Sequence, residues 1–151
     1  MSNYGFNEAR RKLDIAKYST KLSEAVGEPV ILQPTCKSNE DIYVEVKDEK
    51  GYVRSNFRMI EFPGCCAFCV STGTWVDPRW RGKKVAYILQ EIKEDLARIG
   101  GYAGIFATIV KGNPAQERVL PKSGFSLVGE ATGLKNPKTT NEICTYFKGL
   151  C

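Results

Sequence analysis

Apolar residues recur with two different periods along the chain, and the changes of period divide it into predicted helices and strands. Residues 7–26 carry apolar side chains near helical spacing, and this run ends before Gly27 and Pro29. A clearer helical pattern covers about residues 82–99 and stops at Gly100 and Gly101. Its apolar face comprises Val85, Ile88, Leu89, Ile92, Leu96 and Ile99. Other faces take the polar residues Gln90, Glu91, Lys93, Glu94, Asp95 and Arg98.

Strand-like patterns surround the second helix. Residues 30–33 predict a short strand, and residues 41–46 and 52–61 predict a hairpin around the turn at 48–51. Residues 65–76 predict a third long strand, and these segments pair most simply as an antiparallel meander. Gly73 within that last strand predicts a bulge or a close approach to the backbone.

The second half of the chain predicts a crossover back into the same sheet. Residues 102–110 form a nearly continuous apolar run, which is typical of a strand buried on both faces and parallel to the strand before the helix. A short helix follows Asn113 and Pro114 and breaks near Pro121, and strands are expected at about 125–132 and 141–148. We therefore predict an α+β fold with a mixed, mostly antiparallel sheet of about six to seven strands, flanked by helices.

The length of 151 residues and the 42% hydrophobic content suit one domain spanning residues 1–151. The net charge of +5 lies wholly in residues 65–151, which hold twelve basic and seven acidic residues, whereas residues 1–64 hold ten of each. A basic surface there suits a polyanionic ligand, and a soluble protein of modest net charge explains the excess equally well.

Six cysteines raise the question of disulfides or a metal site. Cys65 and Cys66 are adjacent in an apolar run and no signal peptide precedes them, so we expect buried free thiols in a reduced, cytoplasmic protein. Cys66 and Cys69 have the spacing of half a zinc site, but the sequence has no histidine and no second pair, so we expect no metal. No apolar run approaches the ~20 residues needed to cross a membrane.

The turn between the third long strand and the second helix is the strongest candidate for binding chemistry. Residues 76–86 read VDPRWRGKKVA, so an apolar strand ends, turns through Pro78 and opens a helix with a basic first turn. The first N–H groups of a helix have no partner within it and carry the positive end of its dipole. Such a turn is suited to binding a phosphate. A nucleic-acid surface is the rival interpretation of the basic cluster Arg79, Arg81, Lys83 and Lys84.

This arrangement resembles the GNAT superfamily of acyl-CoA-dependent N-acyltransferases over about residues 65–125. The family's turn reads R/Q-x-x-G-x-G/A, and residues 81–86 match its first and last elements, with Lys84 in place of the middle glycine. Asn113, Lys122, Gly124 and Phe125 match a downstream segment that lies against the pantetheine arm. Leu120 stands where the family often has a tyrosine that protonates the departing thiolate.

The resemblance implies that acetyl-CoA is the acyl donor and is bound without a metal. It implies that the strand end at Thr74, Trp75 and Val76 binds pantetheine through its backbone, and that the strand from Tyr102 splays away to make room. The residues expected to hold the cofactor are Trp75, Val76, Arg81, Gly82, Lys83, Lys84, Val85, Ala86 and Asn113. Trp80 beside them is either a loop aromatic, exposed or partly packed, or a stacking partner for adenine.

The sequence names no general base. The strands at 65–76 and 102–110 contain no acid, and Glu61, Glu130 and Glu142 near strand ends are more typical of surface residues. Direct attack by the acceptor amine in a ternary complex would suffice, because positioning alone contributes ~7 kcal/mol or more in favourable cases. Cys66 and Cys69 have nothing basic spaced to activate them, so a structural role is favoured.

The resemblance implies that the acceptor is an amine of a small molecule, a protein or a nucleobase. We expect its site to be shaped by the first helix, a loop at residues 33–39 and the basic segment 133–140. The last strand offers Ile143, Tyr146 and Phe147 for a homodimer. The alternative function is a protein of this fold that lacks catalysis and acts as a binding or assembly module, as compact phage proteins resembling the family do.

Overall fold

The computed structural model describes residues 5–110, 114–131 and 143–150. Its strands are β1 (Val30–Ser38), β2 (Asp41–Asp48), β3 (Val53–Glu61), β4 (Phe68–Val76), β5 (Gly104–Val110), β6 (Ser126–Ala131) and β7 (Ile143–Gly149). They form one sheet in the order β1-β2-β3-β4-β5-β7-β6. Only β4 and β5 are parallel neighbours, and every other pair is antiparallel. The predicted meander, hairpin and parallel crossover are confirmed.

In the described part of the chain, four helices accompany the sheet: α1 (Gly5–Lys12), α2 (Ile15–Val26), α3 (Val85–Ile99) and α4 (Pro114–Lys122). α1 and α2 pack against α3 and β1, while α3 packs on β4 and β5. The core lies between these helices and the sheet, where Phe6, Leu22, Phe57, Leu89 and Ile105 are fully buried. Burial of this apolar surface is the main favourable term in folding.

The first predicted helix is two helices, so the boundary at residues 7–26 is wrong. α1 ends at Lys12, and Asp14 begins α2 as its N-cap by accepting a 3.0 Å hydrogen bond from the Lys17 amide. A cap of this kind satisfies an N–H group that the helix itself leaves unpaired, and it starts a new helix where the periodicity shows no break. β1 is also longer than predicted and runs through residues 33–38, so the expected acceptor loop there is wrong.

The structure corrects the position of two cysteines. Cys65 and Cys66 lie in the turn before β4 rather than in a strand, and Cys66 is exposed rather than buried. Cys69 is in β4 and is fully buried. The described cysteines are all free thiols, and no cluster of potential metal ligands occurs among the residues that the structure describes.

β4 and β5 pair over only part of their length. The pairing runs from Phe68 opposite Gly104 to Ser71 opposite Ala107 and stops, although β4 continues to Val76 and β5 to Val110. The splay expected after this point is confirmed. Among the residues that the structure describes, one backbone edge of the end of β4 therefore has no strand partner.

A bulge marks the same place on the other edge of β4. The β3–β4 register shifts between Asn56 and Arg58, so that Gly73 and Thr74 both stand opposite Phe57. Gly73 has φ +61°, a conformation that glycine adopts far more readily than other residues. The predicted bulge is therefore confirmed, and it re-aims the side chains at the end of β4.

The last strand lies between β5 and β6, and its apolar side chains have partners within the chain. Tyr146 is buried, and the Phe147 ring lies 4.7 Å from that of Phe106 and 5.6 Å from that of Phe68. β7 is therefore not the sheet edge, and β6 occupies that position. A homodimer stays an expectation.

Candidate functional site

The turn after β4 is anchored to the neighbouring hairpin. Asp77 accepts a 2.8 Å hydrogen bond from the Arg79 amide and a 3.2 Å bond from the Arg54 guanidinium, which also pairs with Asp48 at 2.9 Å. The amide hydrogen bond from Arg79 and the nearby Arg54 hold the pKa of Asp77 below its usual value, against a smaller opposing effect of burial. Asp77 therefore stays ionised at neutral pH and fixes the start of the turn.

Trp80 is a core residue, which neither sequence interpretation foresaw. It sits at the end of a single 3₁₀ turn (Pro78–Trp80) and is 2% exposed. An indole buried this deeply contributes a large apolar contact area. Its role is to pack the turn against the body of the protein, so the interpretation as an exposed or partly packed loop aromatic is wrong, and stacking on adenine stays a prediction.

The approach to α3 uses two left-handed residues. Gly82 has φ +74° and Lys84 has φ +65°, and Lys84 is the one non-glycine residue with positive φ in the described chain. Lys84 is the N-cap of α3, and none of the described side chains caps the helix. The backbone at Lys84 thus adopts the conformation that a glycine would favour. The Tyr87 amide donates to the Lys84 carbonyl oxygen, and the N–H groups of Val85 and Ala86 at the start of the helix are left for a ligand.

A Lys84→Gly variant tests the cost of this conformation. A left-handed non-glycine residue costs about 1–2 kcal/mol, so glycine at this exposed position should raise the free energy of unfolding by about 1 kcal/mol. Urea unfolding of the variant and of Lys83→Gly, its neighbour without positive φ, provides the comparison. Equal effects at the two positions would contradict strain at Lys84.

A cavity of about 550 Å³ opens above this turn, and we call it the turn pocket. It is lined by Thr74, Trp75, Val76, Trp80, Arg81, Gly82, Lys84, Val85, Ala86, Tyr87, Gln116, Arg118 and Val119. The described residues that the sequence predicted to bind CoA all line it except Lys83, which is exposed outside it. Asn113 lies outside the described residues. Gln116 and Arg118 of α4 were missed, because the motif that places this segment near the pantetheine arm does not show which of its side chains face the turn.

Arg81 is tied to the strand that precedes it. Its Nε donates a 3.0 Å hydrogen bond to the carbonyl oxygen of Val76. This bond orients the guanidinium at the mouth of the turn pocket, where Arg118 and Lys84 also contribute positive charge. An anion in the turn pocket would meet cationic side chains and helix N–H groups together.

A second cavity of about 210 Å³ lies where β4 and β5 part, and we call it the splay cavity. It is lined by Ser71, Gly73, Thr74, Lys93, Ala107, Thr108, Ile109, Gln116 and Leu120. The two cavities share Thr74 and Gln116, so they adjoin along the unpaired edge of β4. Leu120 is 1% exposed and brings an apolar surface to this cavity.

Lys93 is the charged residue of the splay cavity, and its placement corrects the sequence analysis. The helical pattern predicts that Lys93 and Gln90 lie on polar faces, but each side chain is buried, with only 2% of its surface exposed. Lys93 Nζ donates a 2.6 Å hydrogen bond to Thr74 Oγ1 and lies 5.2 Å from the centre of the Phe57 ring. The signal was its spacing, since Lys93 is four residues after Leu89 and three before Leu96 on the buried stripe.

The other candidate groups do not line these cavities. Burial and the nearby Glu40 raise the pKa of Glu61, which lies at the end of β3. Burial raises the pKa of Cys69 to about 12, with a smaller contribution from Glu61, and its Sγ points to the Gly104 carbonyl oxygen. A thiol held neutral in this way is a poor nucleophile. The side chains of Glu130 and Glu142 lie outside the described part of the chain.

Comparisons with known proteins address the fold. No protein-family model matches the sequence, and no curated protein does. Among solved structures, the spermidine N-acetyltransferase SpeG from Vibrio cholerae in complex with CoA and spermine superposes with a TM-score of 0.63 over 74% of this chain and 67% of its own, at 16% identity. The chain has the GNAT acetyltransferase fold.

Two further structures agree with this GNAT fold. Nourseothricin acetyltransferase matches with a TM-score of 0.67 over 81% of this chain and 85% of its own, at 13% identity. An acetyltransferase of the GNAT family from Streptococcus pneumoniae matches with a TM-score of 0.64 over 76% and 70%, at 14% identity. Such a match gives no support to a phage origin. None of the described helices is both long and apolar enough to cross a bilayer.

Proposed function

We propose that this protein is an N-acyltransferase that moves an acyl group, in the simplest case acetyl from acetyl-CoA, to the amine of an acceptor. The proposal rests on two structural features that lie next to each other. The splayed ends of β4 and β5 open directly onto an uncapped helix N-terminus, and the two adjoining cavities share Thr74 and Gln116.

The turn pocket suits the diphosphate of CoA. Gly82, Lys84, Val85 and Ala86 would surround it with backbone N–H groups, and the side chains of Lys84 and Arg81 would add charge. Lys83 points outside and is assigned no contact beyond its charge. The assignment of Asn113 to CoA binding rests on the sequence resemblance and stays a proposal.

The unpaired edge of β4 suits the pantetheine arm. From residue 72 onward the described strand partner of β4 is β3, on one side. The backbone of Thr74, Trp75 and Val76 can therefore hydrogen-bond an extended ligand on the other side. An arm bound along that edge, with its diphosphate in the turn pocket, would carry its thioester toward the splay cavity. The neighbour SpeG was solved with CoA and spermine, which supports a CoA derivative as the donor.

The acceptor would attack the thioester directly within a ternary complex. No carboxylate occurs among the described residues that line either cavity, so the site offers no acidic general base there. Catalysis would rest on positioning of the two substrates and on charge stabilisation at the thioester. The amine acceptor is a small molecule, a peptide or a nucleobase, and GNAT-fold neighbours named for spermidine and nourseothricin favour a small molecule.

Thiol release tests this function. The protein is mixed with acetyl-CoA and, in separate reactions, with spermine, nourseothricin, peptides bearing free α- and ε-amines, and RNA. We expect free CoA to appear faster with one of these acceptors than without any, and an acetylated product of matching mass. Binding of acetyl-CoA without turnover in the whole panel would contradict catalysis and favour a binding module.

A further inference from the structure

The splay cavity contains a buried amine that the proposed function has not used. Lys93 reaches from α3 to the point where β4 and β5 part, and its Nζ is held by Thr74 Oγ1 at 2.6 Å. Thr74 lines both cavities, so the amine lies next to the junction between them. Thr74 belongs to the bulge opposite Phe57, and its hydroxyl accepts this hydrogen bond from α3.

Lys93 has no acidic partner among the described residues around it. The elements packed on it present Phe57 from β3, Ser71 and Thr74 from β4, Ala107 and Thr108 from β5, and Gln116 and Leu120 from α4. Glu117 and Arg118 are the ionisable residues of α4 next to these, and neither shifts the titration of Lys93. A buried ammonium without a carboxylate costs free energy that an apolar side chain of similar size would not.

Stability alone therefore does not explain a lysine here, whereas an anionic reaction centre does. We propose that Lys93 is the catalytic acid of acyl transfer: its ammonium binds the thioester end of the donor and protonates the CoA thiolate as it departs. This inference rests on the proposed function. It assigns to α3 the proton donor that Leu120 of α4, which is apolar, cannot supply.

The proposed step balances as follows. The acceptor nitrogen bonds to the thioester carbon, and the carbon–sulfur bond breaks with its electron pair passing to sulfur. Lys93 Nζ gives one proton to sulfur, which yields the free thiol of CoA and a neutral amine. The acylated nitrogen loses one proton to water, and water returns one to Lys93.

The titration of Lys93 fits this direction of transfer. Burial lowers the pKa of Lys93 to about 7. A lysine with the usual pKa of about 10.4 would hold its proton more tightly than a thiol of pKa about 8.5. A lysine with a pKa near 7 instead transfers its proton to the thiolate readily. Lys93 is also the one described residue lining the splay cavity that titrates in the neutral range.

The test uses CoA itself, so it needs no acceptor. CoA is bound to the wild-type protein, to Lys93→Met and to Lys93→Gln, and the ultraviolet absorbance of its thiolate is followed against pH. Complexes with desulfo-CoA, which lacks the thiol, supply the baseline for the protein's own cysteines. Lys50→Met, which removes an exposed lysine, is the matched control.

An ammonium beside the sulfur stabilises the thiolate, and the two groups then titrate as a pair. We expect the thiolate of bound CoA to appear about one pH unit lower in the wild type and in Lys50→Met than in either Lys93 variant. CoA that binds all four proteins with the same thiolate titration would overturn the role of Lys93 while leaving CoA binding intact. CoA that binds none of them would overturn the proposed function itself.

Discussion

Lys93→Met is expected to be more stable than the wild-type protein at pH 7. The substitution replaces a buried ammonium by an apolar side chain of similar length, so it removes the cost of desolvating a charge that no carboxylate offsets. We expect a gain of about 2 kcal/mol in the free energy of unfolding, or roughly 4–8 °C in Tm for a chain of this length. Thermal unfolding followed by circular dichroism measures it, with Lys50→Met as the control.

The gain in stability from Lys93→Met should decrease as the pH rises. The pKa of Lys93 is about 7 in the folded protein and about 10.4 when unfolded, so the unfolded state binds more protons between these values. Wild-type stability therefore rises with pH across that interval relative to the variant. The advantage of Lys93→Met should be greatest at pH 7 and below, and it should shrink toward pH 10.

A difference between the two proteins that stays constant from pH 6 to 10 would contradict a buried titrating amine. Other groups with raised pKa values, such as Tyr102 and Cys69, occur in both proteins, so their effects cancel in the difference. A less stable Lys93→Met would show that the hydrogen bond to Thr74 outweighs the cost of burying the charge.

Charge reversal at Lys84 should weaken CoA binding far more than charge reversal at Lys83. Lys84 lines the turn pocket as the N-cap of α3, whereas the adjacent Lys83 is exposed outside it. Lys84→Glu and Lys83→Glu change the net charge equally, so their general attraction for an anion is matched. We expect Lys84→Glu to raise the Kd for CoA at least about tenfold more than Lys83→Glu, equal to about 1.4 kcal/mol.

Intrinsic fluorescence provides the measurement, because both tryptophans of the chain, Trp75 and Trp80, line the turn pocket. The difference in Kd for CoA between Lys84→Glu and Lys83→Glu should narrow as salt is added, because salt screens exposed charges. Equal losses of affinity at both positions would place the phosphates on the outer basic surface instead of in the turn pocket.

Much of the fold follows from local patterns in the sequence. The alternation in residues 41–61 specifies a hairpin, and the apolar stripe from Val85 to Ile99 ended by Gly100 specifies α3. Gly73 signalled the bulge because a strand rarely tolerates that residue without a geometric reason. These features depend on residues close together in the sequence, so local sequence patterns are enough to predict them.

The sequence-based predictions failed where contacts between residues distant in the sequence determine the structure. Trp80 is buried because the 3₁₀ turn folds it onto the core, and the sequence of a turn does not show which side it presents. Lys93 is a polar residue on the buried apolar stripe of α3, so the pattern of apolar and polar residues assigns it to the surface. Gln116 and Arg118 reach the turn pocket only through the packing of α4. Three of the residues that the pattern did not place, Lys93, Gln116 and Arg118, thus line the cavities of the proposed reaction centre.

Calorimetric titration of acetyl-CoA into the wild-type protein tests the central claim most directly, because it asks whether the turn pocket and the splay cavity together hold an acyl donor. The account predicts one site per chain with a dissociation constant in the micromolar range, weakened by added salt as expected for phosphates held by cationic groups. Absence of binding at millimolar acetyl-CoA would contradict it.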